Sequence, residues 1–129
     1  MKVIIDRQGW CMADDASDHR KQLDILDIME LQDYLRDYLT PVCPHSCVWA
    51  IYRISHLGEK SILSYFYISN KVSYFVDSED SQGVHDKDFI YCRLFTENDI
   101  NSSDKFPQMG SLLYRVQLYM ELNQEDSFL

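Results

Sequence analysis

Three runs of period-two alternation follow one another between residues 47 and 77: CVWAIYRIS, SILSYFYIS and VSYFVD. HLGEK, with Gly58, joins the first two, and Asn70-Lys71 joins the last two. Successive side chains point to opposite faces of a strand. Repeated alternation across short polar turns therefore predicts a meander of antiparallel neighbours. A fourth run, FIYCRLF at 89–95, puts Ile90, Cys92 and Leu94 on one face. The last, LLYRVQLYMEL at 112–122, alternates for eleven residues and is expected to be a fifth strand. Its competing reading is a helix, in which Leu112, Leu113, Val116, Tyr119 and Met120 cluster.

The N-terminal segment reads as a hairpin, with a strand at Lys2 to Ile5, a turn at Asp6-Arg7-Gln8-Gly9 and a return over Trp10 to Ala13. Residues 19–39 read as one long helix, N-capped by Ser17 or Asp18 and ended by Thr40-Pro41. Ile25, Ile28, Met29, Leu31, Leu35, Tyr38 and Leu39 share one face at helical spacing, opposite Glu30, Asp33 and Asp37. The predicted fold is α+β, a single domain over residues 1–129. Its sheet is mainly antiparallel, an N-terminal hairpin followed by a meander of about five strands. The long helix packs on one face and leaves room for the other to stay open.

With 46% hydrophobic residues the chain can build a core. Acidic residues outnumber basic ones 21 to 12, giving a formal charge of −9. Nucleic acid and anionic membranes call for a basic face, so the composition excludes both as partners and leaves a basic protein or a cation. The start, MKVIIDRQGW, has no signal-peptide core, and no window reaches 18 apolar residues. A cytoplasmic protein with reduced cysteines is expected.

CPHSC, residues 43–47, offers Cys43, His45 and Cys47 as metal ligands. In an extended chain alternate residues stand roughly 6.5 Å apart, so the outer two sulfurs are about 13 Å apart, too far for one tetrahedral zinc. No fourth ligand sits in a recognisable pair, and the spacing is not the CxxC of a redox motif. The segment reads as a helix-to-sheet connection, with no cofactor and no catalytic role. His85, Asp86 and Asp88 could form an acid/base cluster, but they lie in a charged loop whose plain reading is solvation. The acids from Asp77 to Asp88 lack calcium-loop spacing.

Negative charge is concentrated. Residues 13–39 carry eight acids against three bases, and residues 72–104 eight against two. Clustered acids speed association with a basic partner, and nearby tyrosines supply anchors. The predicted partner-binding residues are Glu30, Asp33, Tyr34 and Asp37 on the helix, and Asp77, Glu79, Asp80, Asp86 and Asp88 in the loop. In size, acidity and composition, including the runs ADDASD and DSED, the chain resembles bacterial toxin-immunity proteins. These are single-domain inhibitors that cap a toxin delivered by a neighbouring cell. The resemblance transfers no individual residue. It implies a non-enzymatic cytosolic inhibitor, monomeric or a small homo-oligomer, that blocks a basic, nuclease-type toxin. A phage-type inhibitor of a host nucleic-acid enzyme, a small Cys/His enzyme or metal protein built on CPHSC, and an oligomeric adaptor are the alternatives.

Overall fold

The computed structural model describes residues 1–9, 19–42, 46–69, 72–79, 81 and 83–122. Its elements run β1 (Lys2–Arg7), β2 (Lys21–Asp24), α1 (Ile28–Leu39), a 3-10 turn (Thr40–Val42), β3 (Cys47–Ile54), β4 (Lys60–Ile68), β5 (Ser73–Asp77), β6 (Phe89–Thr96), α2 (Glu97–Asn101) and α3 (Leu112–Leu122). The six strands form one curled sheet in the order β2-β1-β6-β3-β4-β5. The fold is α+β, as expected, but the sheet is mixed. β1 and β6 are parallel and every other neighbouring pair is antiparallel.

The meander forms where alternation predicts it. β3 pairs with β4 and β4 with β5 in simple antiparallel register, apart from one slip beside Ile51 and Tyr52. Gly58 takes φ +87° in the β3–β4 turn, a conformation that suits glycine. There the chain stops being a meander. β6 lies on the far side of β3, paired from Cys47↔Thr96 to Ile54↔Phe89, and so fills the middle of the sheet. The chain after β5 crosses one end of the sheet to reach it.

Three other expectations are corrected. No turn forms at Asp6–Gly9. Asp6 and Arg7 belong to β1, in register with Tyr91 and Cys92, and the Gln8 N–H donates to the Cys92 carbonyl at 2.9 Å. The Gln8 side-chain oxygen accepts from the Leu94 N–H at 3.1 Å, so β6 pulls this stretch straight. The expected return strand, Trp10–Ala13, lies outside the described residues. The antiparallel partner of β1 is β2, from Lys2↔Asp24 to Ile5↔Lys21.

The long helix is correspondingly short. Residues 21–24 are strand, and α1 starts only after Asp27. The Asp27 carboxylate accepts from the Glu30 N–H at 3.0 Å, and the Glu30 carboxylate accepts from the Leu26 N–H at 3.2 Å. This reciprocal cap satisfies two N–H groups at the helix start. Ser17 and Asp18, the expected caps, lie outside the described residues. Leu31, Leu35 and Leu39 form the buried stripe, while Met29, expected on it, is exposed.

Residues 112–122 are a helix, not a fifth meander strand. β3 is buried at six consecutive positions, Cys47 to Tyr52, so both faces of the sheet require cover. On the first face Val3, Ile5, Trp49, Ile51, Phe66 and Ile90 pack under α1. On the second, Val48, Ala50, Tyr52, Tyr65 and Phe95 pack under Ile100, Phe106 and the α3 residues Leu113, Val116, Tyr119 and Met120. The face expected to stay open is therefore covered. Arg115 pins this second layer. Its guanidinium donates to the carbonyls of Pro107 (2.5 Å) and Ile100 (3.2 Å) and to the Asn101 side chain (2.8 Å). Among the described residues no helix is long and apolar enough to cross a membrane.

Candidate functional site

Where α3 leaves the far ends of β3 and β4, a cleft of about 600 Å³ opens between helix and sheet. Its floor is Tyr52 from β3 with Ile62 and Tyr65 from β4, and one wall is Tyr114, Leu118 and Glu121 of α3. The other wall is the end of β5 and the residues after it, Asp77, Ser78 and Glu79, and Lys60 also lines the cleft. Tyr52 and Tyr65 point to the second face by alternation, and the slip that leaves Leu63 without a partner in β3 brings Ile62 to the same side. On α3, positions 114, 118 and 121 recur at helical spacing on the side turned away from the Leu113–Val116–Met120 core stripe.

The floor is held from behind. The Tyr52 hydroxyl lies 3.4 Å from the Met120 sulfur. Arg93 reaches the second face from β6, with its guanidinium over the Phe95 ring at 4.8 Å. Burial disfavours the Arg93 charge, but hydrogen bonds with the Tyr52 and Tyr119 hydroxyls outweigh it and raise the pKa. Tyr65 is pushed up to about 12, first by burial and then by Tyr52 and Glu121 nearby. It therefore presents a neutral phenol to the cleft at physiological pH. The chemistry on offer is aromatic faces and hydroxyls inside, with the exposed acidic residues Glu79 and Glu121 at the mouth.

The raised values predict alkaline behaviour. Tyr38 and Tyr91 are raised as well, in both cases chiefly by burial. In the unfolded chain tyrosines ionise near pH ~10. The stability they contribute is thus complete below that pH and is lost as pH rises through the folded value of about 12 for Tyr65. The part of the phenolate absorbance that comes from these three rings should appear together with the loss of circular dichroism, above pH ~10. A full phenolate signal well below the unfolding transition would contradict the burial of these rings.

The predicted partner-binding residues do not form one surface. Glu30, Asp33, Tyr34 and Asp37 are exposed on the outer side of α1, over the first sheet face, whereas the cleft opens on the second. Asp33 pairs with Arg36 at 3.3 Å, and Glu30 is part of the helix cap. Asp77 and Glu79 line the cleft, but the Asp77 carboxylate turns to the first face, where it accepts from the Gln32 side chain at 3.2 Å and ties β5 to α1. Asp80 lies outside the described residues. Asp86, exposed, accepts from the Lys2 N–H at 2.7 Å. Asp88 is corrected outright, because its side chain is fully buried against Arg53 and presents nothing to a partner.

The CPHSC segment is visible only in part, since Cys43 and His45 lie outside the described residues. Cys47 is completely buried at the start of β3 and is disulfide-bonded, where a reduced thiol was expected. Cys92 is a free thiol, fully buried, with a pKa raised mainly by that burial. Neither is an available thiolate. Among the described residues no three His, Cys, Asp or Glu side chains gather closely enough to hold a metal ion. Tyr65 is one of the strand tyrosines that sequence offers as anchors, whereas Tyr52, Tyr114 and Glu121 were not singled out. Tyr52 and Tyr65 sit at same-face positions of adjacent strands, but the wall they share with α3 depended on the helical reading of 112–122.

Fold and site together define an α+β domain with an acidic, tyrosine-lined cleft. Comparison with protein-family models, with characterised proteins and with solved structures finds no match to this chain.

Proposed function

We propose that the chain is a binding protein that neutralises a basic protein partner, in the manner of an immunity protein capping a nuclease-type toxin. The observation that supports this is the cleft. Two carboxylates, Glu79 and Glu121, flank a floor of tyrosines, with Lys60 the one basic side chain in the lining. A lysine or arginine side chain entering it meets aromatic faces inside and carboxylates at the rim. The overall charge of −9 attracts such a partner from a distance. Action by binding rather than catalysis fits the burial of Cys47 and Cys92. A cytosolic setting belongs to the same reading, although a reducing cytosol would open the Cys47 disulfide.

The test uses a photo-cross-linker in place of Tyr114, in the native host, to capture the partner. That partner should be basic, and its association rate should fall steeply with added salt. The double variant Glu79→Lys, Glu121→Lys should slow association by about 10–100-fold. Salt-independent binding, or an unchanged rate in the double variant, would sink this reading.

A further inference from the structure

The two outer strands of the sheet are built differently. Natural edge strands are blunted by shortness, charge, proline or a bulge, because their unpaired N–H and C=O groups otherwise recruit another chain. β2 is blunted, with four residues, KQLD, and a charge at each end. β5, SYFVD, has no proline, no basic residue and no slip in its register with β4. Its single charge, Asp77, stands at the end nearest the cleft, and Val72 and Tyr74 are both exposed.

The direction of its main-chain groups follows from two hydrogen bonds. The Ser78 N–H donates to the Leu63 carbonyl at 3.2 Å, and the Ser69 N–H to the Val72 carbonyl at 2.8 Å. In an antiparallel ladder hydrogen-bonded pairs alternate with open ones. Tyr74 and Val76 therefore point their N–H and C=O groups into β4, and Ser73, Phe75 and Asp77 point theirs outward. No strand among the described residues meets them.

We propose that β5 is a docking edge that accepts an extended segment of a basic protein as a seventh strand, with lysine or arginine side chains of that segment reaching Glu79 and Glu121. This rests on the proposed function and specifies how the partner is held. Main-chain bonds along the edge supply sequence-tolerant affinity, and the cleft selects the side chain. Charge chooses this occupant over a second copy of the chain, since pairing two copies edge to edge brings together two bodies of −9 each.

The probe is a blocked peptide of alternating lysine and threonine, followed by backbone amide NMR of the full chain. Shifts are expected at Ser73, Phe75 and Asp77 together with Glu79 and Tyr114. Ser73→Pro removes one outward N–H while leaving the β4 ladder whole, a position where an edge strand tolerates proline. It should weaken the peptide about tenfold. Ser73→Ala, which keeps the N–H, should not. The same peptide N-methylated on alternate residues retains its charges but cannot pair, and it should bind correspondingly less; this arm needs no change to the protein. Equal binding of the N-methylated peptide, or shifts confined to the cleft, would overturn docking at the edge while leaving the cleft reading standing. Failure of the peptide to bind overturns it as well. A dimer in light scattering that Ser73→Pro dissociates would identify a second copy as the occupant instead. Loss of binding in the Glu79→Lys, Glu121→Lys variant alone speaks to the cleft and not to the edge.

Discussion

Asp88→Ala is expected to cost about 3–5 kcal/mol of stability, lowering the thermal midpoint by roughly 10–15 °C. The Asp88 side chain has no exposed surface and that of Arg53 has 14%. Arg53 Nε meets Oδ2 at 2.5 Å and Nη2 meets Oδ1 at 3.4 Å, a two-pronged contact. The same Oδ2 accepts from the His85 N–H at 2.7 Å, and the Nδ1 of His85 lies 2.8 Å from Arg53 Nη2. Main-chain bonds complete the latch: the Asp88 carbonyl accepts from the Ile4 N–H at 3.1 Å, and the Lys2 carbonyl from the Lys87 N–H. The carboxylate thus fastens the end of β3 to the crossing segment, and the main-chain bonds tie that segment to β1. Removing it leaves a guanidinium largely out of water without its counter-charge, which costs more than the pair itself contributes. The double change Arg53→Met, Asp88→Leu should therefore be the milder one. Urea unfolding measures both; a loss below about 1 kcal/mol for Asp88→Ala would show that the crossing is held by something else.

Trp49→Ala should be comparably damaging, at about 3–5 kcal/mol. Trp49 is fully buried in β3, between β4 and β6, and belongs to the core under α1. Truncation opens a cavity at the centre of the sheet that neither neighbouring strand can close. Trp49→Phe should cost far less. The indole Nε1–H has no acceptor among the described residues, so phenylalanine gives up ring volume but removes an unsatisfied buried donor. Comparing the two variants by thermal unfolding separates these effects. Similar losses for Ala and Phe would mean that the indole N–H has a partner after all.

The meander was legible because three alternations lie close together and their turns are short. Local pattern alone determines β3, β4 and β5. The place of β6 was not legible: FIYCRLF alternates as any half-buried strand would, and nothing local says that its neighbours are β3 and β1. β2 was hidden by chemistry that suits either state, since KQLD has no strand pattern of its own and is held there by pairing with Lys2–Ile5. For residues 112–122 both periods fit, and the decision is tertiary. A β3 strand apolar on both sides needs a second covering layer, and α3 supplies it. The same misreading hid half the cleft, because Tyr114 and Glu121 face Tyr52 and Tyr65 only if that segment is helical. Asp77 and Glu79 were found through their charge. Asp88 misled for the same reason, since the sequence shows a carboxylate in an acidic run but not the arginine, 35 residues earlier, that buries it.

Ile4 stands beside Phe89 in the finished sheet. During synthesis the first strand leaves the ribosome long before the one it must lie against, and until then it has only β2, a two-stranded ribbon that is marginal alone. The hairpins of β3, β4 and β5 close over short distances and can order first, whereas insertion of β6 and capture of β1 join the ends of a long stretch of chain. The pairing of β1 with β6 spans the longest stretch of chain of any pair in the sheet, so its closure carries the largest loop entropy. A nascent chain halted before residue 89 would lack the strand that both β1 and β3 pair with and the helix that covers the second face of β3.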